Sequence, residues 1–242
     1  MALTKVGKEG VVGLDNSADA TAITISSGEV VTLSNNLITN GNVLRGANDS
    51  SNTLSGGTAS NSGSNIAVYG SSHSSLASNI RFRSGSTVTM LMDSTGAMTK
   101  PLQPAFHAHK NGTDVTDLVT GDSTITWSDE RFDQNGDFSG STFTAPVTGK
   151  YFLQLNIRFQ EVDISADYLY LSIKTSNQDY SFLLDPDFGD SDPAYYTISL
   201  SVFADMDAND TSYIRYSQSG GAAQVDIDGN QEYTWFEGHL VC

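Results

Sequence analysis

Twenty-one of the 23 aromatic side chains lie after residue 100, and this uneven distribution constrains the fold more than any other feature of the sequence. Only Tyr69 and Phe82 precede that point. Large aromatic side chains bury roughly 150–250 Å² each and supply much of the core of an ordinary globular domain. We therefore expect that residues 1–100 do not form such a domain alone, and that residues 101–242 hold a full hydrophobic core.

The charge of the chain is divided at the same point. The sequence has 12 basic and 28 acidic side chains, a formal net charge of −16, and residues 1–100 contribute six of each sign. The whole net charge therefore falls on residues 101–242. A protein that binds nucleic acid needs a basic face, so this charge argues against nucleic acid as a partner.

The cysteine count and the apolar runs exclude further classes of protein. Cys242 is the single cysteine, so an intramolecular disulfide framework is excluded, and we interpret it as a free thiol without a role. No run approaches the ~18 apolar residues of a membrane-spanning helix, which predicts no membrane insertion. No apolar segment follows Lys5 and Lys8, so we expect no secretory signal peptide.

Residues 1–100 are rich in Gly, Ser, Asn and Thr, yet they contain short β-prone runs separated by turn residues. These runs are residues 22–25, 30–33, 65–69, 80–83 and 88–92. Short strands with little side-chain volume suit a slender structure whose core is shared between chains, so we predict a β-shaft in a homotrimer. A disordered linker, which the composition of residues 51–65 favours, is the alternative.

Residues 101–242 predict an all-β, antiparallel sandwich or jelly roll. Apolar and polar residues alternate along residues 151–159, and they do so again along 169–173 and 198–202. A strand with one apolar and one polar face is half-buried, as in a sandwich whose outer faces meet water. Turn signals such as Asn135-Gly136 and Gly220-Gly221 separate about eight such strands.

Three segments in order resemble the C1q-like/tumour-necrosis-factor-like superfamily. The first ends with the run Phe-Thr-Ala-Pro-Val-Thr-Gly-Lys-Tyr-Phe-Leu at 143–153, in which Gly149 is expected to permit the turn into a long strand. The second, 198–216, looks like two late strands paired around the acidic turn 205–210, and the third, 233–241, looks like the last strand. The resemblance covers residues 104–242. It implies a ten-stranded jelly roll that assembles as a compact trimer and serves recognition and not catalysis.

Residues 13–25 and 90–106 resemble segments of tail-fibre proteins of marine bacteriophages. This resemblance implies a virion fibre, exposed on the particle surface, on the tail or the capsid. Residues 1–30 are then an attachment segment that contacts other virion proteins, residues 31–100 the β-shaft, and residues 101–242 a C1q-like tip that binds a host surface receptor or glycan. The alternatives are a secreted, lectin-like C1q-domain binding protein with a flexible stalk and a polysaccharide-degrading tailspike.

Few residues are candidates for chemistry, and we predict that the chain is not an enzyme. No nucleophile elbow, zinc-protease motif or phosphate loop occurs. His107 and His109 share one strand face, but no third metal ligand is identifiable, so we interpret them as surface or interface residues. No cofactor is expected to be required. Four closely spaced carboxylates form a candidate calcium site, with a solvated acidic loop as the alternative. They are Asp185, Asp187, Asp190 and Asp192.

Overall fold

The computed structural model describes residues 48–59, 61–187 and 189–242, and residues 47–242 form one compact unit. The predicted attachment segment 1–30 and the predicted strands at 22–25 and 30–33 lie outside the described residues. Every strand pairing in the described part is antiparallel, and no helix there is long and apolar enough to cross a membrane. The predicted all-β class is confirmed.

The first five strands form an antiparallel sheet of their own, in the order β1-β2-β3-β4-β5. They are β1 (Ser51–Ser55), β2 (Ser64–Tyr69), β3 (Ile80–Ser84), β4 (Thr87–Met92) and β5 (Met98–Thr99). Gly85 and Gly96 make the turns on either side of β4, with φ of 59° and 89°. Because β1 pairs with β2 along its whole length, residues 51–55 are part of a sheet and not of a linker.

Twelve further strands form two sheets that pack into a jelly roll. They are β6 (Ala105–His109), β7 (Gly121–Thr124), β8 (Asp129–Asp133), β9 (Phe138–Ser139), β10 (Thr142–Thr144), β11 (Gly149–Gln160), β12 (Ala166–Thr175), β13 (Asp179–Leu184), β14 (Tyr196–Met206), β15 (Thr211–Gly220), β16 (Asp226–Ile227) and β17 (Trp235–Leu240). Ten of them lie in two five-stranded orders, β13-β12-β15-β10-β9 and β14-β11-β17-β6-β8, while β7 pairs with β15 and β16 pairs with β11. The antiparallel jelly roll implied by the resemblance is confirmed, with β7 and β16 in addition to the ten strands of the two main orders.

The core of the jelly roll lies between the two sheets, on the faces that the alternation predicted. Every second side chain of β11 points inward and is at most 1% exposed. These side chains are Tyr151, Leu153, Leu155, Ile157 and Phe159. Phe106 of β6 stacks on Phe143 with ring centroids 4.8 Å apart and meets Phe236 edge-on at 5.0 Å. The sheets are therefore joined by a continuous aromatic and aliphatic layer.

The two late strands are not paired with each other, contrary to the expectation from the resemblance. β14 pairs with β11 and β15 pairs with β12, so the two belong to different sheets. The acidic turn between them carries the chain across the sandwich instead of closing a hairpin. Asn177 holds this turn, since its Nδ2 donates to Asp210 Oδ2 at 2.7 Å and to the Asp205 carbonyl at 3.0 Å. A polar turn of this length can close a hairpin or connect two different sheets. The residues of the turn therefore did not distinguish the pairing implied by the resemblance from the one observed.

Lys110, directly after β6, leads to a prediction about stability. Its side chain is only 2% exposed, and burial lowers its pKa. Because burial lowers the folded pKa of Lys110, the cost of burial is largest below that pKa and is lost as the pH rises from the folded value to the unfolded value. We expect Lys110→Met to raise the free energy of unfolding at pH 7 by about 1 kcal/mol.

The measurement is urea denaturation at pH 7, with the exposed Lys100 replaced in the same way as a control. Lys100→Met should leave the midpoint unchanged. A lower midpoint for Lys110→Met would show that contacts of the buried ammonium outweigh its desolvation.

Candidate functional site

One face of the five-stranded sheet is apolar. Cross-strand pairing places two rows of side chains side by side on it. We call this surface the shaft face. Its apolar side chains are Leu54, Ile66, Val68, Ile80, Phe82, Met90, Met92 and Met98, and the polar Asn52 and Ser64 lie on the same side of the sheet. Leu54 is 75% exposed, Met98 60% and Val68 50%. The arginines of β3, Arg81 and Arg83, lie on the opposite face of the sheet, so the shaft face contains no charged side chain.

The outer face of the sheet β14-β11-β17-β6-β8 carries exposed aromatic rings. Phe203 is 67% exposed and Phe132 is 48% exposed. The ring of Phe152 lies between Phe203, at a centroid distance of 5.3 Å, and His239, at 5.7 Å. We call these residues, together with His107 and Trp235, the aromatic face of the tip. Aromatic side chains in such exposed groups are typical of protein interfaces.

His107 lies near the centre of the aromatic face. Its Nδ1 is 2.8 Å from Glu237 Oε2, and its ring stacks on Trp235 at a centroid distance of 5.7 Å. Its Nε2 is buried and has no hydrogen-bond partner in the described part of the chain. A buried polar atom left without a partner costs about 1–3 kcal/mol. Because the chain itself already covers this nitrogen, it is not accessible to another molecule.

The neighbouring His109 does not turn this pair into a metal site. The two rings are 6.1 Å apart, and His109 Nδ1 is 2.6 Å from the carbonyl oxygen of Lys110. Within residues 48–59, 61–187 and 189–242, no three or more side chains of His, Cys, Asp or Glu come together in a way that could hold a metal ion. His107 is half-buried, whereas His109 is buried at 6% exposure, so the expected surface or interface position is wrong for His109.

The four carboxylates of the predicted calcium loop are not gathered around one point. Asp185 Oδ1 accepts from the Asp187 N–H at 3.2 Å, and both of these residues follow β13 directly. Asp192 points to other loops, since its carboxylate accepts from the Ile164 N–H at 3.0 Å and from Gln224 Nε2 at 2.7 Å. Calcium binding by Asp185, Asp187, Asp190 and Asp192 stays a prediction, to be tested by the effect of a chelator on the melting temperature.

Asp192 instead lines a polar cleft of about 490 Å³ at one end of the jelly roll. Three loops meet there: the loop after β11, the loop before β14 and the loop after β15. The other lining residues are Gln160, Glu161, Ala194, Tyr195 and Gln224. Tyr195 is 61% exposed, although aromatic side chains are usually buried. This cleft is not predictable from sequence motifs, because its residues come from three distant segments and match no motif.

Asp163 joins two of the loops that surround the cleft. Its Oδ1 accepts from the Ser165 N–H at 2.8 Å and from the Ser165 hydroxyl at 2.7 Å, and its Oδ2 accepts from the Ala222 N–H. Burial opposes ionisation of this carboxylate, but these hydrogen bonds lower its pKa below the ordinary value. Gly221 has a φ of 69°, and a Cβ there would lie 2.3 Å from Asp163 Oδ2. The loops therefore approach each other closely at this carboxylate.

We expect Asp163→Ala to lower the free energy of unfolding at pH 7 by about 2 kcal/mol, because the variant loses the charge-assisted hydrogen bonds from Ala222 and Ser165 to this buried carboxylate. Since folding lowers the pKa of Asp163, its stabilisation is present above the unfolded pKa of about 3.9 and is lost as the pH falls through the folded value. Urea denaturation should thus show a smaller difference between variant and wild type at about pH 3. Asp190→Ala, in an exposed loop, is the control, and equal losses for both variants would contradict this role of Asp163.

No protein-family model and no curated protein matches this sequence. Similar solved structures include C1q- and TNF-like domains. The globular domain of zebrafish complement 1qA protein is 18% identical, with 58% of this chain and 98% of that chain covered and a TM-score of 0.42. Eiger TNF from S. frugiperda is 13% identical, with 58% of this chain and 94% of that chain covered and a TM-score of 0.45. Murine APRIL at pH 8.5 is 11% identical, with 57% of this chain and 99% of that chain covered and a TM-score of 0.41. The jelly roll itself is established by its strand order and register.

Proposed function

We propose that the chain is the subunit of a homotrimeric bacteriophage virion fibre, with a β-shaft over residues 31–100 and a receptor-binding tip over residues 101–242. The observation that carries this proposal is the shaft face. Contiguous exposed apolar surface on a soluble protein marks an interaction site, and a sheet stabilises such a face by packing it against another sheet about 10 Å away. The same face of another copy of the chain provides such a partner.

Charge favours a second copy as the occupant of the shaft face. Residues 48–100 contain two acidic side chains, Asp49 and Asp93, and three basic ones, Arg81, Arg83 and Lys100. Copies of the sheet therefore meet without net repulsion. The tips carry the whole −16 each, roughly −48 for three, and repel one another. We infer that the shaft supplies much of the association energy and that the tips join through a surface on which acidic groups are paired, as Glu237 is with His107 and Asp205 is with Lys150.

The aromatic face of the tip suits this second contact. Its exposed rings, among them Phe203 and Phe132, provide apolar area for a contact between copies. The C1q/TNF-like resemblance implies that the copies number three. In this assembly the end of the tip that is remote from the shaft faces the host, and residues 1–30 contact other virion proteins. Recognition requires no catalytic group, and we propose a binding function without enzymatic activity.

Immunogold electron microscopy tests the proposal. Antibodies raised against the purified chain are applied to phage particles whose genome encodes it, and we expect gold particles at the outer ends of fibres. Recovery of the chain only from particle-free culture medium would support the secreted, lectin-like alternative and overturn the fibre. Release of oligosaccharide from host envelope by the purified chain would support the tailspike alternative.

A further inference from the structure

We propose that the polar cleft around Tyr195 binds a neutral pyranose sugar and is the receptor subsite of the tip. This inference rests on the proposed recognition function and names its ligand class. The cleft volume of about 490 Å³ lies within the range of about 300–1,000 Å³ usual for small-molecule sites. Its walls are amide and carboxylate side chains with one exposed aromatic ring, a lining that suits a ligand with many hydroxyl groups.

The cleft lies at the end of the jelly roll that is remote from the shaft connection. The chain enters the tip beside its last strand, where Gln103 Nε2 donates to the Leu240 carbonyl at 2.6 Å. The start of β11 lies at the same end, because the Lys150 N–H donates to the Cys242 carbonyl at 2.8 Å. β11 then runs 12 residues to Gln160, in the wall of the cleft. At about 3.3 Å per residue this strand spans about 36 Å, so the cleft faces away from the shaft.

Tyr195 provides a ring that is held in place before a ligand arrives. The guanidinium carbon of Arg158 lies 4.9 Å from the centroid of the Tyr195 ring and 3.5 Å from that of Tyr233. Arg158 is itself fixed by Asp228, whose Oδ2 accepts from Arg158 Nε at 2.6 Å. A ring that is already oriented loses little entropy on binding. The negative π-face of the tyrosine attracts polarised C–H groups, which line one side of many pyranose rings.

The remaining walls present mainly hydrogen-bond acceptors. Gln224 Nε2 donates to the Glu161 carbonyl at 3.2 Å and to Asp192 Oδ2 at 2.7 Å, which leaves the amide oxygen of Gln224 as its remaining acceptor. Glu161 adds an exposed carboxylate and has a φ of 52°, a conformation that non-glycine residues rarely adopt. Sugar hydroxyls are donors that match these acceptors.

Charge narrows the ligand class further. The cleft contains two carboxylates, those of Glu161 and Asp192, in a chain with a net charge of −16. Sialic or uronic acids would bring a further negative charge next to them, and like charges at a binding site cost several kcal/mol. The cleft therefore selects neutral sugars over acidic ones.

Saturation-transfer NMR on the full chain tests this proposal with methyl α-mannoside, methyl β-galactoside, methyl α-glucoside and methyl β-glucuronide as probes. We expect at least one neutral glycoside to bind, and the glucuronide to bind at least about tenfold more weakly. Tyr195→Ala should weaken binding of the neutral glycoside about tenfold, whereas Tyr195→Phe, which keeps the ring, should bind like wild type. Tyr168→Ala is the matched control, since Tyr168 is 37% exposed on the other sheet.

Three results would overturn the sugar site: no binding of any neutral glycoside, unchanged binding by Tyr195→Ala, or equal binding of the glucuronide. Light scattering on the same samples separates this inference from the proposed function. A trimer that binds no glycoside would contradict only the proposed sugar site. A monomer that binds glycoside through Tyr195 would contradict the trimeric fibre and support the sugar site.

Discussion

Gly238→Val is expected to lower the free energy of unfolding of the tip by about 3 kcal/mol or more. Gly238 lies in β17, which pairs with β11 on one side and with β6 on the other. A side chain at this position would point into the core. A Cβ there would lie 2.6 Å from Leu153 Cδ2 and 2.8 Å from Phe106 Cε1. Leu153 and Phe106 are at most 1% exposed and have no free space to move into. For a domain of this size we expect a loss of about 10 °C in melting temperature.

Gly189→Val is the control for this substitution. Gly189 also needs no positive φ, and the nearest atom to a Cβ there is the Ser191 carbonyl oxygen at 4.0 Å. Thermal unfolding followed by circular dichroism should show a large loss for Gly238→Val and almost none for Gly189→Val. Equal melting temperatures for the two variants would contradict the packing of β17 between β6 and β11.

Val68→Asp is expected to raise the protein concentration at which the trimer dissociates by at least about a hundredfold. Because the dissociation constant of a trimer scales with the square of that concentration, this corresponds to about 5.5 kcal/mol per trimer. Val68 lies on the shaft face, so the variant buries one unpaired carboxylate per chain in the proposed interface. The carboxylates of the three copies also repel one another. Mass photometry over a dilution series measures the dissociation.

Leu183→Asp is the matched control, because Leu183 and Val68 are both 50% exposed. Leu183 lies on the outer face of the other tip sheet, which the proposed assembly leaves free. We expect this variant to dissociate like wild type. If Val68→Asp and Leu183→Asp behave alike, the shaft face is not the contact between copies.

The parts of the fold that depend on one strand at a time were predictable from the sequence. The alternation along 151–159 identified the inward side chains of β11, because a strand with one buried face leaves a period of two in the sequence. The count of about eight strands was low, since β9 and β16 have two residues each and show no alternation. The resemblance predicted the jelly roll, but the pairing that it implied for the two late strands was wrong.

Features that depend on contacts between distant segments were not predictable. Gly149 was expected to permit a turn, yet its main constraint is close packing, since a Cβ there would lie 2.7 Å from the Cys242 carbonyl oxygen. The acidic loop gave no sign that Asp192 accepts hydrogen bonds from Ile164 and Gln224 and lines the cleft. The shaft face appears only when the registers of five strands are known, because residues 51–65 alone read as a linker.

The mass of the full chain in solution tests the central claim most directly. The proposed fibre requires that the apolar shaft face and the aromatic face of the tip are covered by other copies of the chain. Light scattering coupled to size exclusion at micromolar concentration should give three times the chain mass of 25.8 kDa. A single species of 25.8 kDa would contradict the account, because both faces would then be exposed to water in a stable monomer.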